Sequence, residues 1–163
     1  MPAPLPPVRT TAGTDAGDPA ADVNLLRAAV AELQAGSGYT RTTAAKTTAS
    51  LASGARESGT VTLTAAAAFR ALKLVTSVAA RVRLYNSTAQ RDADATRAVG
   101  VDPVGDHGLI VDVVTSVGVL SLELSPAADG YLPGTAGAVP ITIDNLSGAT
   151  SVVTATLTYV RTE

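Results

Sequence analysis

No cysteine occurs among the 163 residues, which excludes disulfides, thiolate metal sites and a cysteine nucleophile. A single histidine, His107, is present. That removes most zinc sites and leaves acid–base chemistry near neutral pH without its usual side chain. Charged residues make up 16% of the chain and aromatics 3%. The formal net charge of −2 argues against nucleic acid as a partner, because phosphate recognition shows as a basic patch or a high pI. No run approaches the roughly 18 apolar residues that cross a bilayer. Prolines 2, 4, 6 and 7 stand where a secretory leader needs an apolar helix. The expectation is a soluble chain made in the cytosol, so the N-x-S/T triplets at Asn86 and Asn145 carry no weight.

What is abundant is alanine, threonine and valine. A core built from such small side chains gains modestly from each, and the chain would gain further by burying surface against copies of itself. Residues 1–17, rich in Pro, Gly and Thr, predict an extended arm. Residues 18–35, "DPAADVNLLRAAVAELQA", predict a short helix, with Asp18 as N-cap, Pro19 at the first helical position and Gly36 as terminator. Val23, Leu26, Val30 and Leu33 are spaced 3, 4 and 3, a heptad seam rather than a broad amphipathic face. A helix this short is marginal in water without partners. Two readings stay open: a helix lying on the β domain, or a short parallel bundle that sets an oligomer. The long spacer after it favours the bundle.

Residues 36–58, "GSGYTRTTAAKTTASLASGARES", show neither helical period nor apolar alternation and predict a linker. From residue 59 the pattern has period two. "TVTLT", "FRALKLVTSV", "ARVRLYN", "GLIVDVVTS", "VLSLELS", "VPITIDNL" and "SVVTATLTYVR" follow in order, most of them apolar on one face. The fold class expected is mainly β: an antiparallel β-sandwich of jelly-roll or Greek-key type over residues 59–163. Val117-Gly118 predicts a tight hairpin turn. The longer links, 86–107 and 126–138, are expected to cross from sheet to sheet.

The link after Tyr85 carries the densest charge: Arg91, Asp92, Asp94 and Arg97. Asp102, Asp106 and His107 follow it. A calcium loop needs alternating oxygen ligands, a central glycine and a closing glutamate; the acids here are scattered and the glutamate is missing. Asp106 and His107 are neighbours, which an extended chain points to opposite faces, and no G-x-S-x-G elbow supplies a nucleophile. No catalytic, metal or cofactor residues are therefore assigned. Arg91, Asp92, Asp94 and Arg97 are expected to form a polar helical turn capped near Ser87 or Thr88, with ion pairs worth little each, and to offer a possible contact loop. Arg81, Arg83 and Tyr85 share one strand face, where a sugar would need more exposed aromatics than four Tyr and one Phe supply. Pairing with acids on a neighbouring strand or subunit is the expected use.

"AADVNLLRAAVAEL", the Thr/Ala-rich spacer, and "ARVRLYNSTAQRDADATRAVG" with "DHGLIVDVV" and "ATLTYVRTE" together resemble small virion proteins of tailed bacteriophages, particularly those infecting high-GC actinobacteria. The resemblance implies a non-enzymatic structural component of the particle, a tail or fibre protein, made in the host cytoplasm and located in the virion. It implies a homo-oligomer, with a trimer favoured, docked on other virion proteins and without membrane or cofactor. A capsid decoration protein is the alternative. A module that binds a host cell-surface receptor or glycan is the second.

Overall fold

The computed structural model describes residues 40–64, 66–134 and 137–162. The expected arm over 1–17 and the expected helix over 18–35, with Val23, Leu26, Val30 and Leu33, lie outside the described residues. Eight strands form: β1 (Arg41–Leu51), β2 (Arg56–Thr62), β3 (Ala68–Thr76), β4 (Ala80–Tyr85), β5 (Leu109–Val114), β6 (Ser121–Tyr131), β7 (Ala138–Asn145) and β8 (Ser151–Arg161). One short helix, α1 (Thr88–Ala93), lies between β4 and β5. The strands follow the period-two rule except where the pairing shifts register in β1, β3 with β6, and β4 with β5. In β8, Val153, Ala155, Leu157 and Tyr159 are buried while the threonines between them are not.

The strands make two four-stranded antiparallel sheets, ordered β1-β8-β3-β6 and β2-β7-β4-β5. The chain changes sheet at every connection except β4 to β5. That interleaving is the jelly-roll arrangement, so the mainly β, antiparallel sandwich expected from the alternation is the fold.

Three expectations are corrected. Of the expected linker 36–58, the described residues from 40 on are mostly strand, and the sandwich does not begin at 59. β1 lies wholly within that segment and β2 starts in it. The alternation of β1 is real but is written in Thr, Ala and Lys, which hydropathy does not separate. Thr43, Ala45 and Thr47 are exposed, Ala44 packs on the core and Thr48 is buried. Threonine's β-branched side chain suits the strand, and pairing with β8 from Arg41 to Leu51 supplies the apolar neighbours. Second, link 86–107 does not change sheets, because β4 and β5 are hydrogen-bonded neighbours. Of the segment 126–138, residues to Tyr131 belong to β6, and the chain crosses to the other sheet after it. Third, the turn at Val117-Gly118 is closed by two Ser116–Val119 backbone hydrogen bonds of 3.1 and 3.0 Å, but it does not join paired strands. Thr115 N still donates to Ala80 O in one sheet, while Leu120 O already accepts from Thr76 N in the other. The turn rounds the edge of the sandwich.

The core lies between the sheets. Phe69 and Tyr159 meet edge to face with centroids 6.3 Å apart, surrounded by Leu63, Leu74, Leu84, Ile141, Ile143 and Leu157. Tyr159 keeps its hydroxyl satisfied by accepting from Thr64 N at 2.8 Å. Gly130 on β6 stands opposite Phe69, and a Cβ there would come within 2.5 Å of the ring. An aromatic ring in a packed core cannot give way as a flexible side chain does. Gly130→Ala is therefore expected to destabilise by about 1–3 kcal/mol, read as a lower urea midpoint with an unchanged slope. At the rim, Asn145 is fully buried. Its amide donates to Leu51 O and Ala149 O at 2.8 Å each, and its oxygen accepts from Ser147 N at 2.9 Å. It ties the ends of β1 and β8 together, and its N-x-S triplet is closed to modification in the folded chain.

Candidate functional site

The charged residues of the 86–107 link come together on the face of the β2-β7-β4-β5 sheet that points away from the core. Along β4, Val82 and Leu84 enter the core while Arg81, Arg83 and Tyr85 take the other face. β7 and β5 add Thr142, Asp144 and Asp112 beside them, with Arg83 flanked in register by Thr142 and Asp112. β2 adds Arg56 opposite Asp144. The link folds back over this polar face and buries it.

The link is shaped locally before it docks. Ser87 caps α1, its hydroxyl accepting from Gln90 N at 3.3 Å, as the polar pattern predicted. Gly108, at φ +51°, closes the link where a Cβ would overlap the Gln90 amide. Asp94 then turns down onto the sheet. Tyr85 OH donates to its Oδ2 at 2.7 Å, Arg83 Nη1 at 3.1 Å, and Arg97 Nε to Oδ1 at 2.7 Å. Arg97 also donates to Asp112 Oδ2 at 2.8 Å, and Arg81 grips Asp112 bidentately at 2.8 and 2.7 Å. Arg56 pairs with Asp144, which lies 3.6 Å from Arg83 Nη2.

Four guanidinium groups thus face three carboxylates. Most of the remaining donors go to the link's own backbone, while Arg83 Nε and Nη2 make no hydrogen bond. Arg56 donates to Ala95 O and Arg97 O, Arg81 to Ala98 O, Arg83 to Asp94 O and Arg97 to Val101 O. Such planar, charge-assisted bonds are the strong kind. Burial alone pushes the Asp94 carboxyl up, but hydrogen bonds from Arg97 and Tyr85 and the charges of Arg97 and Arg83 outweigh it. They hold Asp94 well below the usual carboxylate range. Asp112 is also lowered, by Arg81 and then Arg97 against its burial. Burial, then the bond to Asp94, pushes the Tyr85 phenol up to about 12.

A carboxylate held that firmly ionised is no proton shuttle at neutral pH, and the arrangement presents no activated nucleophile. Among the described residues, no three metal-ligating side chains converge. Of the expected contact residues, Arg91 pairs with Asp92 at 2.7 Å and reaches Gly59 O, and only Asp92 presents its charge to solvent. Asp94 is buried, and the side chain of Arg97 is only 7% exposed. Their ion pairs are interior ones, not the surface pairs that the spacing suggested. Arg81, Arg83 and Tyr85 offer no sugar platform either, since all three are covered. Asp102 and His107 line a cleft of about 200 Å³ beside Val101 and Val104, and Asp106 Oδ1 accepts from Gly108 N. Sequence reasoning missed Arg56, Asp112 and Asp144. The signal for Asp112 was present: a lone charge inside "LIVDVV" needs a partner.

The pH dependence follows from these shifts. Asp94 and Asp112 bind protons less readily folded than unfolded. Their contribution is complete above the unfolded carboxylate value of about 3.9 and is lost as the pH falls below it. Tyr85 holds its proton more tightly folded, so its contribution is complete below about 10 and is lost as the pH rises toward about 12. Melting temperatures across pH 2–12 should show a broad plateau with both flanks falling, and phenolate absorbance should show Tyr85 ionising above the usual tyrosine value of about 10. No protein-family model matches the chain, and no curated protein matches it.

Proposed function

We propose that this chain is a non-enzymatic structural component of a bacteriophage particle, a tail or fibre protein whose jelly-roll projects from or bridges its neighbours. The observation that carries the reading is the strand order β1-β8-β3-β6 over β2-β7-β4-β5, an architecture common in virion and lectin domains. The fold alone is an argument by analogy. It is supported by the chemistry of the dense polar cluster, whose three carboxylates are all paired with arginines that hold the link on the sheet and whose Arg83 and Thr142 are buried away from solvent. The heptad seam preceding the sandwich adds a means of assembly, with a homotrimer as the preferred state and other virion proteins as docking partners.

Peptide mass analysis of purified particles, with antibody labelling under the electron microscope, tests the reading. Labelling of the tail supports it, labelling of the capsid moves the protein to the decoration role, and absence from particles overturns it. Assembly through the seam has its own test. Leu26→Asp with Leu33→Asp places charges in a bundle core where each leucine is worth about 2–5 kcal/mol. The pair is expected to abolish incorporation into particles and seam-dependent association in sedimentation. The circular dichroism of the β domain should stay unchanged.

A further inference from the structure

A sandwich of this kind has four edge strands, and three of them are blocked. Between β1 and β2, Lys46 and Glu57 form a 3.0 Å ion pair, and Glu57 accepts the backbone N–H of Ala49 at 2.8 Å. The β1 ladder also breaks between Thr47 and Ser50. β6 is interrupted where its pairing with β3 jumps from Ala128 to Glu123, around Pro126. Charges, bulges and proline are the usual devices against edge pairing. β5 carries none of them on its outer side. Its irregularity is confined to the start, at Leu109–Val111, and the residues Val111–Val114 pair with β4 in unbroken register. Among the described residues, nothing pairs with its other edge.

The same stretch of chain carries most of the exposed apolar surface, and Val101 and Val114 line one cleft beside β5. Val99, Val101, Val104, Val114, Val117 and Val119 are six of the eight large hydrophobic residues exposed among those described. All fall in the link, β5 and the turn after it. The Arg–Asp network holds Asp94 to Val101 by their carbonyls, so this patch sits on a fixed base.

We propose that the β5 edge is an association surface for the β5 edge of a second copy, joined antiparallel across a two-fold axis. Charge favours a copy of the same chain over a basic or acidic partner. Asp112 is the one charged residue of β5 and is already neutralised by Arg81 and Arg97. An axis at Val111 or Val113 sets Asp112 opposite an apolar residue of the other copy, so no like charges meet. An identical edge supplies unpaired donors for unpaired acceptors, and with the other edges blocked the pairing closes at two instead of growing into a fibre. The proposal rests on the assembling role above but fails separately: particle analysis decides that role, and solution mass decides this one.

Combined with the homotrimer proposed above, the edge pairing is expected to make the full chain sediment as six copies, two trimers joined through their β5 edges; without the seam trimer it gives two. Val114→Glu, which places a carboxylate on the open edge, is expected to halve the mass with little change in melting temperature. A second measurement does not depend on tolerance of the charge. Because the chain lacks cysteine, Val114→Cys with a short bifunctional thiol reagent is expected to give covalent dimers, while Val152→Cys, equally exposed on β8, is not. A monomer, an odd copy number, a mass unmoved by Val114→Glu, or equal cross-linking at both positions would overturn the proposal.

Discussion

Replacing Asp94 by alanine is expected to lower the unfolding free energy by about 3–5 kcal/mol, a large part of the roughly 5–15 kcal/mol that holds a domain together. The size follows from what is left behind. Arg97 and Arg83 lose their carboxylate and Tyr85 its hydrogen-bond acceptor, all in a site that excludes water. Two buried cations then face each other with less compensation, and Arg83 already has Nε and Nη2 without hydrogen bonds. Asp94→Asn keeps the shape and one acceptor oxygen, so its loss should be smaller. Two residues earlier, Asp92 provides the contrast. It pairs with Arg91 at the surface, and Asp92→Ala is expected to cost less than about 1 kcal/mol. Urea unfolding at neutral pH measures all three. Equal losses at Asp92 and Asp94 would mean that the link opens to water and that the network does not hold it.

A chain beginning at residue 59 is expected not to fold, whereas one beginning at residue 40 is. The shorter chain loses all of β1 and the first three residues of β2. β8 then has no partner along the whole side that β1 covered, and β7 loses the residues that faced Ile143 and Asp144. Losing Arg56 also removes the bidentate partner of Asp144, which is itself buried. Two exposed edges and an unpaired buried carboxylate together exceed what a domain of marginal stability tolerates. Far-UV circular dichroism and proton shift dispersion of the two fragments decide it. A cooperatively melting 59–163 fragment would show that β1 is an accessory strand.

The missed strand and the missed charges have one cause. Period-two alternation marks a strand only when its two faces differ in hydropathy. That holds for β8, with Leu157 and Tyr159 set against threonines, and it fails for β1, where Thr and Ala occupy both faces. Residues 41–51 become a strand because β8 offers an edge to pair with, a property of the assembled sheet and not of the segment.

The amino-acid sequence by itself determined that this is a mainly β, antiparallel sandwich, because short strands with one apolar face, such as β8, bury that face by packing sheet on sheet. It also determined the capped turn at Ser87, since that cap is made within four residues. Only the tertiary structure decided the jelly-roll order, the recruitment of 41–58, and the fate of the charges. Arg56, Asp94, Asp112 and Asp144 lie as far as 88 residues apart. Whether a given aspartate is a surface ornament like Asp92 or a buried hub like Asp94 depends on which strands end up beneath it. Electrostatic strength is set by burial and by the company of other charges, and neither is written locally in the chain.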